Sequence, residues 1–318
     1  MSNKLGNFSI PTVYDEPFSS LFNVLNLSSS RDASDQEVLT GGSLPQLFSH
    51  VYGGQVIAQA ILAAATKASP SRVANPHSIH VNFMRAGDTQ KSIFFNVSCL
   101  HRGRSFESFQ VIASQEEKEL MTLLVSFQEV QPGPTYEVTN PQVSPPNGIV
   151  SNLDIFRLVD NPVAKFLGRT SCFEVRHVDG DLYTTTRRPG PHRVWIKPRV
   201  CLPEISQIVS RALLAYVVDQ LISEPLLRSL GLCWTTPGLA LASLDHAMWF
   251  HHDVNINDWH LIDLSCAFAG GSRGLSQGKI YNSEGTLVSS LAQEAMVRIA
   301  DNAGKWAFDG KGIEIKSS

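Results

Sequence analysis

With 318 residues, 43% of them hydrophobic and 17% charged, the chain has material for a large core and for two domains rather than one. Its net charge of −3 supplies no basic field and no lysine- or arginine-rich run marks a polyanion groove, which argues against nucleic acid as a partner. Five scattered cysteines, never in Cys-x-x-Cys spacing, argue against a disulfide framework or a structural zinc and fit a reducing compartment. The N-terminus has no apolar signal core, and the longest apolar runs are too short to span a bilayer, so a protein inside the cell without a membrane span is expected.

In chain order, residues 1–40 are polar and weakly periodic, and predict a flexible arm with a short amphipathic piece over Phe18–Leu27. Gly53 to Thr66 carries no charge and is dominated by alanine and aliphatic residues. A helix that is apolar on every side is a buried one. Its Gly53-Gly54 start permits a close backbone approach. Strand-like segments follow over Ser78–Met84, Ser92–Leu100, Ser105–Gln115 and Glu119–Val130, joined by short polar turns. A buried helix with an antiparallel sheet is an α+β unit. Proline-rich stretches then break all periodicity, and 131–180 is expected to be linker and inserted structure, between an N-terminal unit at 1–130 and a C-terminal unit at 181–318.

The second unit opens with Ala212–Ile222, a helical pattern whose one ionisable group is Asp219. Leu241–Asp253 is strand-forming but studded with polar residues, Ser243 among them. Val288–Arg298 alternates as a strand, with Gln293 on the face of Leu287, Leu291, Ala295 and Val297. Three polar groups thus stand in apolar settings. Each costs about 1–3 kcal/mol if buried without a partner, and the simplest economy is for the three to satisfy one another.

At these residues the chain resembles the type II acyl-CoA thioesterases, the bacterial thioesterase II and peroxisomal thioesterase family. The likeness rests on the helical Asp219, the Ser243 two before Asp245-His-Ala-Met-Trp-Phe-His251, and Ala292-Gln-Glu294. It continues in Val51-Tyr-Gly-Gly-Gln55 and His77–Asp88 and spans about Gly42 to Asp301. The resemblance implies a double hotdog, two antiparallel sheets each wrapped around a central apolar helix. It also implies an acyl-CoA substrate, hydrolysis without a cofactor, Asp219, Ser243 and Gln293 as catalytic residues, and a homodimer or homotetramer. Some relatives carry a Ser-Lys-Leu peroxisomal address; the terminal Lys316-Ser-Ser318 does not match it, and peroxisome and cytoplasm both stay open.

The halves also look duplicated. Ser78 and Ser243, Asp88 and Asp253, Gln55 and Gln220, and Gln128-Glu129 and Gln293-Glu294 all differ by 165 positions. At this offset Asp219 falls on Gly54, so the first copy lacks the carboxylate and one working site, in the second half, is expected. The chemistry asked of the trio is modest: a thioester needs a positioned, partly deprotonated water and donors for the oxyanion. Desolvation would raise the proton affinity of Asp219 while hydrogen bonds from Ser243 and Gln293 pull the other way, and the sequence leaves the sum open. Backbone N–H groups at a helix start are the expected oxyanion donors, with no helix assigned.

Several features compete. Gly270-Gly-Ser-Arg-Gly274 fits a nucleophile elbow that would make Ser272 an acyl-enzyme serine, but strand-like residues follow it and a hairpin is expected. His246, His251 and His252 suggest zinc, yet strand alternation separates His251 from the other two, so surface or core histidines are expected. Arg85, Arg104 and Arg273 are candidates for CoA phosphates or simply solvated. Two rival functions are an enoyl-CoA hydratase on the same fold, which would want an Asp and His dyad absent after Gly87-Asp88, and a non-catalytic acyl-CoA-binding protein.

Overall fold

The computed structural model describes residues 3–5, 8–31, 35, 37–69, 74–183 and 190–300. The first half runs β1 (Asn3–Leu5), β2 (Phe8–Ile10), α1 (Phe18–Leu25), β3 (Ser28–Arg31), β4 (Glu37–Gly41) and α2 (Gly53–Ala65). Four long strands follow: β5 (Ala74–Phe83), β6 (Ile93–Arg102), β7 (Phe106–Gln115) and β8 (Lys118–Glu129). Then come α3 (Asn152–Leu158), α4 (Pro162–Thr170), β9 (Phe173–His177), β10 (His192–Pro198), α5 (Gln207–Leu221) and α6 (Glu224–Leu230). The chain closes with β11 (Leu239–Ser243), β12 (Asp245–Phe250), β13 (His260–Gly270), β14 (Arg273–Tyr281) and β15 (Leu287–Ile299). Among the described residues no helix is long and apolar enough to cross a membrane.

The architecture follows from two helices that have no polar face. Every residue of α2 from Gly54 to Ala65 is buried, and α5 buries all but two of its positions. Neither helix can lie on a surface, so each sits inside a curved antiparallel sheet and the two pack on one another. The first sheet has the order β4-β6-β7-β8-β5 and the second β10-β13-β14-β15-β12, the same order twice. They are not separate: β5 pairs with β12, from Ser78 against Trp249 to Asn82 against Asp245, so the two expected sheets fuse into a continuous one.

Polar groups on helices so enclosed must find partners inside. Gln55 accepts from the Leu44 N–H at 2.8 Å, and Gln59 donates to the Val24 carbonyl at 2.8 Å. Arg211 donates to the Pro76 carbonyl at 2.8 Å and pairs with Asp253 at 3.0 Å. These side chains tie α1, β5 and two loops to the core. Asp219 is the acid left over.

The expectations for the N-terminal segment and for the repeat offset change. The described part of the N-terminal segment is no free arm: Phe8, Ile10, Phe18, Leu21, Phe22 and Leu25 are all in the main core. Within 131–180, expected to be linker and inserted structure, α3, α4 and β9 fold, and β9 pairs with β10 as the last strand of the sheet. The constant 165-residue offset fails for the helices, because α5 starts at Gln207, 154 residues after Gly53. Gln55 therefore lies in the first turn of α2 and Gln220 in the last turn of α5, so they are not equivalents, and Gly54 is no counterpart of Asp219. Counted from the helix ends, Leu221 and Ala65, Asp219 falls on Ala63, which is likewise no carboxylate. The terminal tail Lys316-Ser-Ser318 lies outside the described residues.

The glycine-rich decoy resolves as a hairpin. Gly270 pairs with Arg273, and the two loop residues, Gly271 and Ser272, have φ of 57° and 62°. Two positive φ values in a two-residue loop are a type I′ turn, which joins strands with the right twist. Ser272 thus sits between β13 and β14, with no helix after it.

Candidate active site

Asp219, in the last turn of α5, is only 4% exposed, and Gln293, on the inward face of β15, is 1% exposed. Ser243 ends β11 between them. Its hydroxyl donates to Asp219 Oδ1 at 3.2 Å, and Gln293 Nε2 donates to Ser243 Oγ at 3.0 Å. The same amide nitrogen reaches the Asp219 backbone carbonyl at 3.3 Å and Ser223 Oγ at 3.1 Å. The three expected residues are therefore mutual neighbours, and each satisfies another.

A fourth residue joins them. His246 is 1% exposed, and its Nδ1 lies 2.7 Å from Gln293 Oε1, while its Nε2 is buried without a partner. Ser243 and His246 are three apart, which in an unbroken strand would put them on opposite faces. The strand is broken at Leu244: β11 pairs only with β15, whereas β12 pairs with both β15 and β5. That break brings both side chains to one glutamine. Simple alternation hid it, and the signal that could have revealed it is the crowding of Ser243, Asp245 and His246 around one bend. His251 meets Ser290 at 2.9 Å and His252 meets Glu137, so the three histidines of the segment do not converge.

The start of α2 completes the site. A methyl group on Gly53 would stand 2.9 Å from Asp219 Oδ2, and one on Gly54 would stand 2.4 Å from the Tyr216 carbonyl oxygen. Only hydrogen at these two positions lets α2 approach the end of α5 this closely. The Gly54 N–H points to the Asp219 carboxylate, at the positive end of the helix dipole. Tyr52, just before α2, donates to the Tyr216 carbonyl and accepts from the Gln220 N–H at 3.2 Å, bridging the ends of the helical turn that holds Asp219.

Electrostatics follow from this enclosure. Burial raises the pKa of Asp219; His246, the Ser243 hydroxyl and the Gly54 N–H oppose it without cancelling it, and the net direction is up. Burial lowers the His246 imidazole, partly offset by Asp219 and by the bond to Gln293. A carboxyl whose proton affinity is raised accepts a proton more readily, as a general base should. Substituting Gly53→Ala would press a methyl against Oδ2. With Asp219 Oδ2 and the Phe83 ring both in the way, a lowered unfolding midpoint is the expected result; a thermal melt beside the wild type checks it.

A cavity of about 220 Å³ lies along the neighbouring face of α5, walled by Tyr52, Phe156, Phe173, Tyr216, Val217 and Leu221. At one side of it stands a second polar cluster that the sequence reading missed. Glu224, 1% exposed, accepts from His177 Nε2 at 3.0 Å, His192 Nε2 at 2.6 Å and Trp234 Nε1 at 2.9 Å. Among the described residues His177, His192 and Glu224 are the one group close enough to share a metal ion. The donor chemistry does not suit one: Arg228 Nε donates to His192 Nδ1 at 2.9 Å, so the imidazole proton sits on Nε2, facing Glu224 and leaving no lone pair there. This is a charge-assisted hydrogen-bond cluster. Although burial alone would raise Glu224, the two imidazoles hold it far below the usual carboxylate range. Of the arginines considered for phosphate, Arg273 pairs with Glu294 and Arg85 bonds the Glu119 carbonyl.

Comparison with known proteins bears on the family and the fold. The family model described as the acyl-CoA thioesterase N-terminal domain matches residues 43–128, and that of the acyl-CoA thioesterase C-terminal domain matches residues 153–297. Acyl-CoA thioesterase 2 of Haemophilus influenzae is 29% identical over 272 residues, covering 84% of this chain and 94% of the relative. Acyl-coenzyme A thioesterase 8 of Mus musculus is 30% identical over 261 residues, covering 78% and 80%. Among solved structures, acyl-CoA thioesterase II TesB2 from Mycobacterium marinum aligns with a TM-score of 0.69 at 28% identity, covering 88% of this chain and 99% of that one. A protein with a hot dog fold from Alicyclobacillus acidocaldarius aligns with a TM-score of 0.70 at 15% identity, over 89% and 99% of the two chains, and speaks for the fold alone. The doubled helix-in-sheet unit described above is that fold.

Proposed function

Because the chain belongs to the acyl-CoA thioesterase family, matching both of its domain models, we propose that it hydrolyses acyl-CoA to a free carboxylic acid and CoA through Asp219, Ser243 and Gln293. The observation that carries the proposal is the buried carboxylate that accepts from Ser243 on one oxygen while its other oxygen faces the start of α2. Oδ1 is occupied by the Ser243 hydroxyl. Oδ2, on the side of the Gly53-Gly54 start of α2, is the oxygen assigned to the water.

In the proposed step, water held at Oδ2 gives its proton to Asp219 as its oxygen attacks the thioester carbonyl carbon. The carbonyl oxygen gains the electron pair and turns toward the start of α2, where the helix dipole favours negative charge although the Gly54 N–H is already directed at Asp219. Collapse of the tetrahedral adduct breaks the C–S bond, and the proton on Asp219 passes to the departing CoA sulfur. Ser243 and Gln293 keep the carboxylate aimed. Positioned general-base help of this kind contributes about 10²–10⁴-fold. The aromatic and aliphatic cavity on the adjoining face of α5 suits an apolar acyl chain. An intracellular role in fatty acid metabolism, with a homodimer or homotetramer as the assembly, is proposed on the same membership.

Incubation with saturated and unsaturated acyl-CoAs, with released thiol trapped colorimetrically, tests the function. Thiol release is the expected result. A β-hydroxyacyl product without thiol would move the chain to the hydratases, and tight binding without turnover would leave it a binding protein.

A further inference from the structure

The trio leaves one question open: what makes its hydrogen bonds run toward Asp219 rather than away from it. An ionised carboxylate only accepts, so the Ser243 hydroxyl spends its single proton on Oδ1. The 3.0 Å contact between Ser243 and Gln293 then needs the glutamine nitrogen as donor. That orientation sends Oε1 the other way, to within 2.7 Å of His246 Nδ1, and a carbonyl oxygen only accepts. The proton of His246 must therefore sit on Nδ1.

We propose that His246 is a positioning residue: by donating from Nδ1 it locks the Gln293 amide so that the chain His246, Gln293, Ser243, Asp219 donates in one direction and ends on the carboxylate. The proposal rests on the thioesterase mechanism above and adds a member to it. The opposite tautomer would set Nδ1, as an acceptor, against Oε1, or turn the Gln293 nitrogen toward it at the loss of that nitrogen's bonds to Ser243 and to the Asp219 carbonyl. The surroundings select against that tautomer. A proton on Nε2 would be a buried donor with no acceptor, since Nε2 has no partner in its enclosure. The break at Leu244 is what makes the contact possible, for it turns His246 inward beside Ser243. Nothing in an ordinary core strand would call for an imidazole here.

Three substitutions separate positioning from mere packing. In His246→Asn the side-chain nitrogen takes the place of Nδ1 and can still donate to Gln293; in His246→Gln the amide falls nearer the place of Nε2; in His246→Leu no donor remains. Steady-state hydrolysis of a saturated acyl-CoA and thermal midpoints are measured for all three beside the wild type and Asp219→Asn. The expected result is a kcat for His246→Asn within about 3-fold of wild type, while His246→Gln and His246→Leu fall by about 10²-fold with KM changed less than about 3-fold, the scale of a misaligned catalytic group. Wild-type kcat in His246→Leu would overturn the proposal. Should His246→Leu fail to fold, the Asn and Gln variants decide, and an Asn variant no better than the Gln variant overturns it as well. An inactive wild type would fell the thioesterase mechanism and this inference together. An active wild type with an inactive Asp219→Asn and an unimpaired His246→Leu would fell this inference alone.

Discussion

Asp219→Asn is expected to lower kcat/KM for acyl-CoA by about 10²–10⁴-fold, because the amide keeps the shape of the carboxylate but cannot take the proton from water. The wild-type profile is expected to have an acid limb above the ordinary aspartate value, since burial raises this carboxyl, and activity should rise with pH as the group ionises. In the variant that limb should vanish with the activity. Stability should move the other way. A carboxyl whose folded pKa is raised contributes stability below its unfolded value, near 3.9, and loses it as pH rises through the folded value. At neutral pH the wild type therefore holds a buried ionised acid at a cost that asparagine avoids. Urea unfolding at pH 7 should find Asp219→Asn at least as stable as wild type; a clear loss of both rate and stability would assign the acid a structural role.

The second large effect belongs to Glu224 and concerns folding. Glu224→Ala would leave His177, His192 and the Trp234 N–H without their common acceptor inside the protein. Removing one partner from a buried charged cluster costs about 3–5 kcal/mol, and equilibrium urea unfolding at pH 7 measures it. Here the linkage has the opposite sign. The folded pKa of Glu224 is depressed, so its contribution is present above the unfolded value, near 4.3, and is lost as pH falls toward the folded one. Wild type and variant should converge in acid. A gap that persists unchanged below pH 4 would mean the carboxylate charge is not what holds the cluster. Because Ser223, which takes a hydrogen bond from Gln293, precedes Glu224 directly, the cluster also anchors the corner between α5 and α6 beside the site.

Much of the fold could be read in advance because it follows from local pattern. A run from Gly53 to Thr66 without a charge can only be a buried helix, and the alternation of β15 placed Gln293 inward beside Leu291 and Ala295. The glycine-rich turn at Gly271 and Ser272 was legible from the strand that follows it. What escaped depends on distant parts of the chain. The apolar stripe of α1, Phe18, Leu21, Phe22 and Leu25, was legible as a short amphipathic piece, but its partners include α2 and Phe173, which no local pattern reports. Equating Gln55 with Gln220 assumed one offset for helices and strands alike, which the unequal lengths of chain before each sheet do not allow.

The site divides along the same line. Asp219, Ser243 and Gln293 drew attention as polar residues in apolar patterns, and the expectation that each would satisfy another is met at 3.0 and 3.2 Å. His246 was hidden by a bend of one residue at Leu244, since alternation carried through that bend sends it to the wrong face. The Glu224 cluster could not be foreseen at all, because residues 177, 192, 224, 228 and 234 share no period and meet only once β9, β10 and α6 are packed.

In the proposed mechanism Asp219 activates a water and does not itself attack the acyl group. Turnover in water enriched in oxygen-18, followed by mass spectrometry of both the released acid and the peptide that contains Asp219, tests it directly. One heavy oxygen in each fatty acid and none in the aspartate is expected after many turnovers; heavy oxygen accumulating in Asp219 would mean that an acyl anhydride had formed there and that the acid is the nucleophile.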